Sequence, residues 1–130
     1  MPDESKVVAF SGTCPARGEL TLVSKRISTA YRLRSIHAEF PAGAQNLLAL
    51  RFYTAPDPSA PATGAPNGVS LLRDYGQVDY LVGDGVPRDL EHHLQIAEAG
   101  TYLKVYAANT DWYDHVVNVH MTIELIERGM

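Results

Sequence analysis

Cysteine is almost missing from this chain. Cys14 is the only one, which excludes an internal disulfide framework and any cysteine-built zinc cluster. Long apolar runs are missing too: none approaches the roughly 18–20 residues that a membrane-spanning helix needs. The opening Met1-Pro2-Asp3-Glu4-Ser5-Lys6 has no apolar stretch of the kind a secretory signal carries. Neither a membrane partner nor a secretion signal is therefore expected. Positive charge is scarce, with 11 Lys and Arg against 15 Asp and Glu, a net −4. The one basic cluster is Lys25, Arg26, Arg32 and Arg34. Nucleic-acid binders normally carry a larger positive field with aromatics set among the cations, so no nucleic-acid partner is expected.

What is present is alternation. At 130 residues with 45% apolar side chains, the chain suits a single domain, residues 1–130. No segment carries a 3.6-residue apolar stripe, whereas period-two patterning recurs throughout. It predicts strands over 6–10, 19–27, 31–40, 46–54, 69–72, 78–82, 89–96, 101–109 and 116–126. Within 31–40 the apolar phase changes near Arg34 and Ser35, which predicts a bulge, because one extra residue flips every later side chain. Residues 55–68 hold four prolines and form a Pro/Ala-rich loop, since proline cannot donate to a sheet ladder. Few of its side chains look able to hold it alone, so an ordered loop is expected to pack on a neighbour. The fold class is all-β: one antiparallel β-sandwich of eight to nine strands, of jelly-roll type.

The search for chemistry returns little. Of five histidines, His92 and His93 are adjacent and point to opposite faces of a strand, and His120 faces outward. His37 and His115 supply no His-x-His pair with any of them, so no metal and no cofactor are expected. Asp74, Asp79, Asp84 and Asp89 recur without an EF-hand pattern and read as turn residues. There is no Gly-x-Ser-x-Gly elbow and no phosphate loop. The chain reads as a non-enzyme.

Aromatics and charge remain. Trp112 and Tyr113 stand in the loop before the last strand, flanked by Asp111 and Asp114. Such a pair either stacks on a partner or sugar, or folds back to cap the core. Residues 1–65 sum to +2 and residues 66–130 to −6, an asymmetry that favours head-to-tail contact between copies.

Four segments in order carry a family resemblance: Tyr31–Phe40, Asn46–Thr54, Leu94–Gly100, and Tyr102–Asp111 with its Asn-Thr-Asp and aromatic loop. Together they resemble the small β-sandwich virion-associated proteins, structural or decoration, of phage and phage-like gene clusters. One departure is Gly100-Thr101, where that family often has Gly-Asp. The resemblance implies a structural protein that self-associates, a trimer being favoured, and that decorates or builds a particle beside a major capsid or tail protein. It implies a virion location; without it the expectation is cytoplasmic. The partner-binding residues expected are Trp112, Tyr113, Asp111 and Asp114, with Pro58 and Pro61 from the loop. The alternative is a carbohydrate- or ligand-binding module that adds Tyr102 and Tyr106 to the same loop aromatics.

Overall fold

A computed structural model of the chain describes residues 4–40, 47–60, 66–70, 82, 85, 87–91 and 100–125. The expected strand over 78–82, the histidines His92 and His93, Pro61, and the segment 94–99 lie outside the described residues or nearly so. The elements are β1 (Glu4–Cys14), β2 (Glu19–Val23), β3 (Tyr31–Glu39), β4 (Leu48–Ala55), β5 (Val69–Ser70), β6 (Arg88–Glu91), β7 (Tyr102–Asn109) and β8 (His115–Leu125). Every pairing is antiparallel. The first sheet runs β1-β8-β3-β6 and the second β2-β7-β4-β5. Each sheet thus has four strands among the described residues, three substantial ones and a short edge strand, β5 with two residues and β6 with four. Six substantial strands stand where the sequence predicts eight to nine.

The pairing is nested. β1 pairs with β8, β2 with β7, β3 with β6 and β4 with β5, and β8 and β7 also pair with β3 and β4. The chain is thus one long antiparallel ribbon folded across itself into two layers. Alternation dictates which side chains fill the space between them. On β8, Val117, Val119, Met121 and Ile123 are buried while Val116 and His120 are exposed. They meet Phe10, Leu33 and Ile36 from the first sheet and Leu50, Phe52 and Val105 from the second. Full burial of each such side chain is worth roughly 1.5–3 kcal/mol. The bulge is present: Leu33 pairs with Ile123 and Ser35 with Thr122, leaving Arg34 as the extra residue. Its insertion returns Ile36 and Ala38 to the core face.

The described part of the 55–68 loop is held by its own chain, through side chains that the sequence reading expected to be too few to hold it. Lys104, on the face of β7 away from the core, is 0% exposed. Its Nζ donates to Asn67 Oδ1 at 2.7 Å, to Ser59 Oγ at 3.3 Å and to Asp57 Oδ1 at 3.4 Å. Asp57 in turn accepts from the Ser59 N–H at 3.0 Å and from Asn67 Nδ2 at 2.6 Å. The Ser59 N–H first, then the Ser59 hydroxyl, the Asn67 amide and Lys104, hold the Asp57 carboxyl well below the usual carboxylate range. Gly68 closes the loop at φ +135, where a Cβ would stand 2.7 Å from the Thr54 carbonyl oxygen. Among the described residues no helix is long and apolar enough to cross a membrane.

Candidate functional site: a braced aromatic end

The register places the β1–β2 turn and the β7–β8 loop at one end of the sandwich, because Cys14 pairs with His115 and Glu19 with Ala108. Between them sits Asn109, the last residue of β7, buried where a polar side chain must find partners. Its Nδ2 donates to the carbonyls of Tyr113 at 2.8 Å and Pro15 at 3.2 Å, and its Oδ1 accepts from the Asp111 N–H at 2.9 Å. One side chain therefore joins both turns. Asp111 adds a second brace: its Oδ1 accepts from the Trp112 N–H at 2.7 Å, and its Oδ2 meets His115 Nε2 at 2.8 Å. That bond to His115, opposed by partial burial, holds the Asp111 carboxyl below its ordinary range. Asp114 Oδ1 accepts from the Ala16 N–H at 2.7 Å, and the Arg17 N–H donates to the Asp111 carbonyl at 2.9 Å. Thr110 is tied to Leu47 by its N–H and its hydroxyl, both to the Leu47 carbonyl.

These braces end in two side chains that face water. Trp112 is 74% exposed and Tyr113 73%. Of the two sequence readings of Trp112, capping the core is not the one adopted. Arg17 holds it from one side, with its guanidinium carbon 4.5 Å from the ring centroid, a cation–π contact. Arg17 takes φ 52, the left-handed region that costs a residue with a Cβ. Leu47 and Val116, also exposed, stand at the same end. Of the five large apolar side chains exposed among the described residues, four are here and only Val7 is elsewhere.

The remaining expected residues are scattered. Asp111 and Asp114 are with Trp112 and Tyr113, but both serve as braces. Pro58 is exposed at the opposite end, because β4 runs from Leu48 beside Asn109 to Ala55 beside Tyr102 before the loop begins. Tyr102 is half-buried at that far end. Tyr106 is buried mid-strand and its hydroxyl donates to Glu19; burial, then this bond, pushes its phenol up to about 12. The wider aromatic set of a sugar site is thus not assembled. His37 and His120, register partners, stack on the outer face of the first sheet with centroids 6.1 Å apart. Among the described residues no group of three or more His, Cys, Asp or Glu is arranged to hold a metal ion.

Sequence reasoning passed over Arg17, weighed His115 only as a metal ligand and read Asn109 only as part of the Asn-Thr-Asp string. Signals existed for two of them: Arg17 sits in the Pro15-Ala16-Arg17-Gly18 turn, and Asn109 opens the Asn-Thr-Asp string. The pairing of Asp111 with His115 depends on where the loop turns, and the residue spacing alone does not give it.

No family model matches the chain, and no curated protein matches it. Solved structures do. A chain from the Bacillus endospore appendages, described as a novel family of disulfide-linked pili, aligns with TM-score 0.53 and 14% identity, covering 98% of this chain and 90% of that one. The cyanophage Pam1 capsid asymmetric unit contributes a chain with TM-score 0.49 and 16% identity, covering 97% and 88%. The Yersinia pseudotuberculosis-derived mitogen aligns with TM-score 0.49 and 13% identity, covering 100% and 92%. Other neighbours include structures of infectious bursal disease virus and of an empty cowpea mosaic virus particle, at 11% and 10% identity. At these identities the likeness concerns the fold.

Proposed function

We propose that this protein is a non-enzymatic structural subunit that associates with copies of itself, a trimer being favoured, and decorates or builds a phage-like particle, capsid or tail. The observation that carries this reading is the aromatic end: Trp112, Tyr113, Leu47 and Val116 stay exposed on loops that a buried Asn109 and an Asp111–His115 pair hold in place. Exposed aromatics gathered in one region mark interaction sites, and their prior ordering lowers the cost of association. The nested strand order supports naming the sandwich a jelly roll, an architecture used by capsid and lectin domains. The capsid and pilus neighbours support a particle and, with it, a virion location. Disulfide linkage, named for the Bacillus appendages, is not part of this proposal, since Cys14 is buried.

Light scattering across a concentration series tests the reading. The expected result is a species heavier than 14.2 kDa that persists on dilution. A monomer at every concentration overturns it and turns attention to a small-ligand role for Trp112 and Tyr113, to be screened on a glycan array.

A further inference from the structure

The two ends of the sandwich differ in charge as well as in shape. Among the described residues the register gathers the carboxylates of Glu19, Glu39, Asp111 and Asp114 toward the aromatic end, together with Arg17, with Arg51 near the Glu19–Tyr106 bond and with Arg88 opposite Ala38. At the other end stand Lys6, Lys25, Arg26, Arg32 and Arg34, with Glu4 opposite Leu125 and Glu124 bonded to Arg32 and Arg34 at 3.0 and 3.8 Å. Lys104 and Asp57, also there, cancel each other. Among the described residues the basic side chains thus outnumber the acidic ones at this second end.

The basic end also has a receptacle. Where the edge strands β1 and β2 part, a groove of about 420 Å³ opens between β1 and the connection from β2 to β3. Its apolar wall is Val8, Ile27, Ile123 and Leu125, the partly covered flank of the core. Its rim carries Lys6, Lys25 and Arg26, and among the described residues no carboxylate lines it. An occupant that fits must be apolar, with acidic groups beside it. The aromatic end of the same protein meets both conditions: Trp112 and Tyr113 project, with Asp114 next to them.

We infer that the Trp112–Tyr113 end of one copy seats in the Lys25–Arg26 groove of a second copy, so that copies associate head to tail. This rests on the self-association proposed above and names its two surfaces. Such a contact is heterologous: each copy offers a knob at one end and a groove at the other, which closes a ring if the rotation allows and otherwise extends a filament. Opposite charge at the two ends steers the approach and weakens it in high salt.

Complementation of two variants tests it. Trp112→Ala with Tyr113→Ala removes the knob and leaves the groove; Lys25→Glu with Arg26→Glu inverts the rim and leaves the knob. All four residues are exposed, so circular dichroism and melting should match the parent and verify folding. Each variant alone is expected to self-associate about tenfold or more weakly, and an equimolar mixture to give a dimer and nothing larger. Trp112 is the only tryptophan, so in that mixture the rim variant alone reports, and its emission should shift to the blue as the ring leaves water. If both variants assemble as the parent does, or if the mixture stays monomeric with unshifted emission, the head-to-tail contact is wrong. A parent protein that is itself monomeric overturns instead the self-association on which it rests.

Discussion

Lys104 Nζ donates to Asn67 Oδ1 at 2.7 Å across 37 residues of sequence, and this bond ties a proline-rich loop to the back of a sheet. The ammonium is fully covered and its stem crosses the outer face of β7 between Val23 and Tyr53, its register partners. Lys104→Met keeps the stem and removes three donor contacts. The expected loss is about 1–2 kcal/mol in chemical denaturation, with residues 56–60 becoming sensitive to a protease at native temperature. Unchanged cleavage would mean that the loop is held by something other than this lysine.

Acid should unfold the protein through two aspartates. The carboxyls of Asp57 and Asp111 are both held below the ordinary aspartate range in the folded protein. A depressed folded pKa gives stability that is complete above the unfolded value and is lost as pH falls through the folded one. The melting temperature should hold steady from neutral pH to about 5 and decline below about 4. Asp111→Asn should melt lower at neutral pH and show a shallower decline. A decline that begins near pH 6 would implicate the histidines instead.

Cys14 should be a poor nucleophile. Burial pushes its thiol up to about 11, and its Sγ points to the carbonyls of Gly18 and Ala107 at 3.5 and 3.7 Å. At pH 8 about a thousandth of such a group is thiolate. A thiol reagent should therefore label the native protein slowly and label it fast in denaturant. The raised value also means stability that is full below the unfolded cysteine pKa and fades as pH climbs toward 11, a fade that Cys14→Ala should reduce. Rapid labelling of the native form would place the thiol at the surface.

Trp112 should make a weak probe of unfolding, since its ring is already in water, yet a good probe of the brace beneath it. Asn109→Ala removes the bonds to Pro15, Tyr113 and Asp111 and leaves their partners to find water. The cost expected is about 1–3 kcal/mol. Acrylamide quenching of Trp112 should rise modestly as the loop loosens and the Arg17 contact is shared with open forms. Quenching identical to the parent would show that Asn109 is dispensable for the loop.

Much of the layering was legible because burial in a two-sided sandwich writes itself as alternation. The inward set on β8 and the bulge at Arg34 both follow from where the apolar phase holds and where it slips. β1 was underestimated because its flanks, Glu4-Ser5 and Ser11–Cys14, are polar or small on the open edge of a sheet. Lys104 was illegible for a different reason. Its own neighbours mark it as a solvent-facing residue, and what covers it comes from a loop far away in sequence. The aromatic end was half legible: Trp112 and Tyr113 announced themselves by type, whereas Arg17 joins them through a turn that tertiary contact alone brings near.

The nested pairing also governs when this protein can exist. Glu4 finds its partner in Leu125 and Cys14 in His115, so β1 waits for β8, the strand farthest from it in sequence among those described. β8 lies between β1 and β3, and until it is delivered the first sheet has no middle. Contacts so distant along the chain make folding slow and leave β1 and β3 with open edges in the meantime. The sandwich therefore stays incomplete until β8 has been made, and any assembly that needs the finished sandwich waits for that strand.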